Sequence, residues 1–177
     1  MRFLISLFLI YSSFILISQD SIFIRKKFQN NQSSALKILG SWSTLNLIVS
    51  PIYLTHIKNR GGASSSAEYF NKMNFNWNLV NGGICLAGTF KSKTLKNKSW
   101  NNKEVTNSII KLKKTLFINM GLDISYLLAG LILKKVAPNN LLKRHQYTGF
   151  GNSLITQGGF LFVFDCLFLK SISNLVK

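Results

Sequence analysis

The sequence predicts an all-α protein, a four-transmembrane-helix bundle preceded by a signal-like apolar segment. Three observations predict it. Of 177 residues, 47% are hydrophobic and only 15% charged, against about 25% charge in a typical soluble domain. The mean hydropathy is positive, +0.19. Four long apolar runs are separated by short basic stretches, the pattern of membrane spans with basic connections.

The elements follow in order. Residues 1–18 hold one arginine, an apolar run and then Ser18-Gln19-Asp20. That matches the n-region and h-region of a secretory signal, and the run is short for a span. A cleaved signal is favoured, with an uncleaved anchor as the rival. The first span is read at 35–57, interrupted by Ser50-Pro51, and proline there should kink it. The others are read at 69–90, 112–136 and 149–172. Each approaches the length that crosses a hydrocarbon core of roughly 30 Å. The rival is a soluble bundle, whose buried helices are normally shorter and amphipathic. Gly61-Gly62-Ala63-Ser64-Ser65-Ser66 reads as a flexible linker, Pro138-Asn139-Asn140 as a turn, and residues 91–111 as the longest link. Trp100 in that link would anchor at lipid headgroups.

Charge is lopsided: 22 Lys plus Arg against 5 Asp plus Glu, a net +17. Such a balance invites a nucleic-acid reading, but most of the basic residues lie at 25–27, 58–60, 91–114, 134–135 and 143–144, between the apolar runs. No nucleic-acid partner is expected. The partners expected are the lipid bilayer and, on the small-residue faces, a second copy or a membrane protein. The location expected is a bacterial inner membrane, crossed several times. Topology is in conflict. The positive-inside rule places the 91–114 side in the cytoplasm, whereas a cleaved signal places the mature N-terminus outside.

Each span carries polar residues at helical spacing. In YFNKMNFNWNLVNGG (69–83), Asn71, Asn74, Asn78 and Asn81 fall three, four and three apart. The first span holds Trp42, Asn46 and Ser50. The third holds Asn119, Asp123 and Tyr126, and the fourth Ser153, Gln157 and Asp165. At about 1.5 Å per residue, Asn46, Asn78, Asn81, Asp123 and Gln157 lie roughly 12–18 Å from their span ends, near the midplane. Asn119 and Asp165 lie nearer the basic link. An aspartate at that depth is expensive, about 3 kcal/mol, and no Lys, Arg or His accompanies it. Asp123 is therefore expected to bond to amide side chains or to be protonated. The candidate core is Asn46, Asn74, Asn78, Asn81, Asn119, Asp123, Tyr126, Gln157 and Asp165. Two roles compete for it. Interhelical amide bonds would act as glue, with small residues such as Gly82, Gly83, Gly88, Gly121, Ser125, Ala129, Gly158 and Gly159 allowing close packing. A polar cavity would hold a proton, an ion or a small ligand.

Catalytic signatures are missing from the sequence. His56 and His145 stand alone at span ends and make poor metal sites. Residues 61–64 lack the Gly-Lys-Ser/Thr of a P-loop, and residues 149–153 lack a Gly-x-Ser-x-Gly elbow. Cys85 and Cys166 read as small core residues. No metal and no cofactor are expected, and an enzyme acting on a lipid or isoprenoid ranks below a binding or assembly module and below a proton or ion path through Asp123 and Asp165.

Four motifs carry a resemblance. They are Gly40-x-Trp42-x-x-x-Asn46, then Tyr69-Phe70-x-x-Met73-Asn74-x-x-Trp77-Asn78-x-x-Asn81, then Asn119-x-Gly121-Leu122-Asp123-x-x-Tyr126. The last is Gly149-x-Gly151-x-x-x-Ile155-x-Gln157-Gly158-Gly159-Phe160-Leu161, running on to Asp165. On them the chain resembles a family of small four-helix bacterial membrane proteins of the Bacteroidetes type, classed as a domain of unknown function. The resemblance spans about residues 37–169. It implies a membrane bundle without an assigned activity, and it favours cleavage after a segment ending in Ser-Gln-Asp. The 91–114 link is longer and richer in lysine than the resemblance implies.

Overall fold

In a computed structural model, the protein is described over residues 2–59, 65–96 and 100–175, with side chains from residue 22 onward save those of residues 95 and 96. Most of the proposed linker, residues 61–64, lies outside the described residues. Four α-helices account for nearly all of the rest: α1 (Arg2–Asn59), α2 (Ser66–Lys96), α3 (Asn102–Val136) and α4 (Arg144–Ser173). A single 3-10 turn, Ala137–Asn139, follows α3. The all-α class is as the sequence predicts.

The helices run farther than the apolar runs. α1 is continuous from Arg2 to Asn59 and carries on through Pro51, so the backbone does not change at the end of the signal-like segment. The basic link is largely helical too. α2 extends to Lys96 and α3 begins at Asn102, leaving residues 97–101 between them. Polar residues hid this from the sequence, because helix ends outside an apolar run depend on caps rather than on hydropathy. The cap here is a reciprocal box. Glu104 N donates to Asn101 Oδ1 at 2.8 Å, and Asn101 N donates to Glu104 Oε2 at 3.0 Å. Such a cap contributes about 1 kcal/mol.

The chain runs up and down four times. α1 packs on α2, α3 on α4, and the two pairs meet mainly through α2 and α4. α2 and α3 do not pack backbone to backbone, which leaves a groove between them. Glycines bring the other helices close. A Cβ at Gly130 of α3 would sit 2.7 Å from Gly151 O of α4. A Cβ at Gly149 would collide with Ser66 O and Tyr69 on α2. The small-residue faces are thus partly different from those the sequence suggested: Gly83 and Gly121 face open space.

The interior changes character along the bundle. At the end where α3 starts and α4 stops, Phe28, Val105, Ile109, Leu116, Ile172 and Leu175 form an apolar core. Lys26, Lys27, Lys103, Lys111, Lys114 and Lys170 are exposed around it. Asn31 Nδ2 donates to Ser171 O at 2.8 Å and Lys113 Nζ to Ser173 O at 3.0 Å, holding α1 and α3 to the C-terminal turn of α4. A cation there also meets the negative end of the helix dipole. Further along, the order inverts. Asn71, Asn74, Asn78, Asn81, Asp123, Ser153, Gln157 and Asp165 are buried, while Leu45, Ile52, Val80, Phe117, Leu131 and Leu167 are exposed.

α3 and α4 are long and apolar enough to cross a membrane. Among the described residues α1 and α2 do not meet that measure, so two of the four expected spans do so by composition. The reason is visible in the fold. Asn71, Asn74, Asn78 and Asn81 lower the average apolarity of α2, yet all four are buried, and its outward face carries Leu79, Val80, Ile84, Leu86 and Phe90.

Candidate functional site

The polar residues divide into two groups with different partners. The first is a closed network among α1, α2 and α4 with Asn74 at its hub. Asn74 Oδ1 accepts from Ser153 Oγ at 2.7 Å and from Gln157 Nε2 at 3.1 Å. Asn74 Nδ2 donates to Asn46 Oδ1 at 3.4 Å. Gln157 Oε1 accepts from Trp42 Nε1 at 3.0 Å, and Asn46 Nδ2 returns to Trp42 O at 2.9 Å. The Trp42 ring stacks on Phe160, centroids 3.9 Å apart. Both polar ends of Gln157 and of Asn74 are used, as a dry interior requires.

The second group faces the groove between α2 and α3. A cavity of about 790 Å³ lies there, closed behind by α4. Its polar lining includes Asn81, Asn119, Asp123 and Asp165, and its walls include Tyr69, Trp77, Tyr126, Phe150 and Phe164. Trp77 and Tyr126 meet edge to face across the groove, centroids 4.7 Å apart. Asn119 and Asp165 line the same cavity from α3 and α4. Asp123 is 3% exposed and Asn81 5%. Even so, Asp123 Oδ2 and Asn81 Nδ2 have no hydrogen-bond partner among the described residues. These are one acceptor and one donor, both buried and both lining the same cavity. A buried polar atom without a partner destabilises a fold by about 1–3 kcal/mol; Gln29 Nε2 and Asn78 Oδ1 are also without one among the described residues, and Asp123 Oδ2 and Asn81 Nδ2 are the pair that lines one cavity.

The sequence-predicted residues therefore separate. Asn46, Asn74 and Gln157 join the closed network. Asn81, Asn119, Asp123, Tyr126 and Asp165 line the cavity. Asn78, fully buried, donates back to Asn74 O at 2.8 Å, and its Oδ1 has no partner. The amide partner expected for Asp123 is not found for its Oδ2 among the described residues. Gln157, on the fourth span with Asp165, turns to Trp42 and Asn74 instead.

Several contributors escaped the sequence. Trp77 read as one more apolar residue among the asparagines, yet it borders the cavity. Lys72 lines the outer part of the cavity and pairs with Glu68 at 2.6 Å. Ser66 Oγ lies 3.2 Å from His145 Nδ1, joining the starts of α2 and α4. Residues 79 apart in the chain give no sequence signal of such a contact. Among the described residues, no three His, Cys, Asp or Glu side chains converge as a metal site would need.

Fold and site define a class: a helical bundle with a polar interior, an apolar outer face and a cavity containing carboxylates. The chain belongs to a family of unknown function, DUF6992, whose family model matches residues 38–166. That span covers the hub, the cavity and both buried aspartates, and begins and ends close to the four motifs. No curated protein matches the chain, and no solved structure matches it.

Proposed function

We propose that the protein is a four-span membrane module that binds a small molecule in the groove between α2 and α3. The observation carrying this reading is the inversion of the interior. Over the middle of the bundle, carboxamides and carboxylates are inside and aliphatic side chains outside. Water would drive the opposite arrangement, whereas lipid accepts an apolar exterior at no hydration penalty. The outward apolar face of α3 runs from Phe117 to Val136, about 30 Å at 1.5 Å per residue. That is the thickness of a hydrocarbon core. The apolar cluster ringed by lysines then lies beyond the bilayer on one side, where a water-facing packing pattern is expected. An all-helical bundle suits an inner membrane, since outer-membrane spans are closed β-barrels.

Binding rather than assembly alone is supported by the two groups of polar residues. The hub residues satisfy one another and act as glue. The cavity residues leave a donor and an acceptor unused, in a space of the size that holds a drug-sized ligand. Replacing Asp123 by leucine tests this. A carboxylate kept for binding does not stabilise the empty protein, so D123L should unfold at an equal or higher denaturant concentration than wild type. If D123L loses as much stability as a hub substitution, Asp123 is a structural residue and the binding reading fails.

A further inference from the structure

We propose that the groove is built for an amphiphilic amine: a protonated nitrogen with a neighbouring oxygen, carried on an apolar body. This rests on the binding reading above and adds to it the chemical class of the ligand.

The first argument is charge. Asp123 and Asp165 line one cavity, and the one basic residue on its wall, Lys72, already pairs with Glu68. A carboxylate at membrane depth is expensive, and an incoming cation pairs with it. The second is the pair of unused atoms. Asp123 Oδ2 accepts and Asn81 Nδ2 donates. An ammonium group answers the first, and an adjacent hydroxyl or carbonyl oxygen answers the second. The third is the wall. Trp77 stands four residues before Asn81, and Tyr126 three after Asp123, so on antiparallel helices the paired rings lie one turn along the groove, on the same side of the polar atoms. Aromatic faces attract organic cations, more strongly where water is excluded. The fourth is extent. From Tyr69 to Ile84 the α2 wall is about 22 Å long at 1.5 Å per residue. An alkyl chain or a flat ring system fits along it, which a bare metal ion or a proton would not need.

The test compares three probes on the full chain in lipid nanodiscs, read by tryptophan fluorescence against empty nanodiscs. They are dodecylamine, dodecan-1-ol and 2-aminododecan-1-ol. At pH 7 dodecylamine should bind saturably and at least tenfold more tightly than dodecan-1-ol. The amino alcohol should exceed dodecylamine several-fold. D123N should weaken both amines at least tenfold and leave dodecan-1-ol unchanged. N81L should remove only the advantage of the amino alcohol. Equal binding of dodecylamine and dodecan-1-ol, or amine affinity unchanged in D123N, overturns the amine assignment and leaves a groove for neutral amphiphiles. No saturable binding of any probe to folded protein also overturns it, while the binding reading is judged separately by the stability of D123L.

Discussion

Asn74 and Asn81 are the same residue type, seven positions apart on one helix, and leucine should affect them in opposite directions. Asn74 Oδ1 accepts bonds of 2.7 and 3.1 Å from two residues of α4. Interhelical bonds in membranes average about 0.6 kcal/mol, so these two contribute about 1.2 kcal/mol. N74L also leaves the Ser153 hydroxyl and the Gln157 amide buried without an acceptor. Each orphan adds about 1 kcal/mol at the low end of its range, and Gln157 keeps its bond from Trp42 through Oε1. The sum is about 3 kcal/mol, or roughly 150- to 200-fold in the unfolding equilibrium. N81L removes an amide nitrogen with no partner, so it should be neutral or stabilising by up to about 1 kcal/mol. Equilibrium unfolding by SDS in mixed micelles, followed by circular dichroism, measures both. If the two variants fall within about 0.5 kcal/mol of each other, the division into a hub and a cavity is wrong.

Other outcomes follow from the same geometry. G130A should lose about 1–3 kcal/mol because the new methyl meets Gly151 O and Ile155. G121A, which meets nothing within 4 Å, should instead gain up to about 1 kcal/mol from helix propensity, both read by thermal unfolding in detergent. With Cys85 and Cys166 replaced by serine, single cysteines at Asn107 and Asn174 should react with an impermeant maleimide from one side of the membrane, and one at Asn140 from the other. Labelling of all three from the same side would exclude four spans. Proton flux into liposomes should stay at background, since Phe150, Leu161 and Phe164 share the cavity wall with the two acids. A flux that D123N and D165N together abolish would replace the binding reading with a conducting one.

Much of the fold was legible in the sequence. Four apolar runs gave four helices, because runs of that length are satisfied only by internal backbone bonds when water is absent. The helical extensions were not legible. Residues 102–111 lie in the stretch read as a link, yet they are helical, and Val105 and Ile109 join Phe28 and Ile172 in the apolar core. The same holds for glycine. Gly121 and Gly130 look alike on paper, but one faces open space and the other meets α4.

By itself the sequence determined the polar inventory: which asparagines, glutamine and aspartates lie on the apolar helices. Spacing of three and four places them on common stripes whatever the bundle looks like. Tertiary structure alone decided which of them pair. Asn74 and Asn81 differ in their partners because α4 lies close to one and the gap between α2 and α3 lies beside the other. Hydrogen bonds act over about 3 Å, and contacts at that range are set by how helices far apart in the chain are placed side by side.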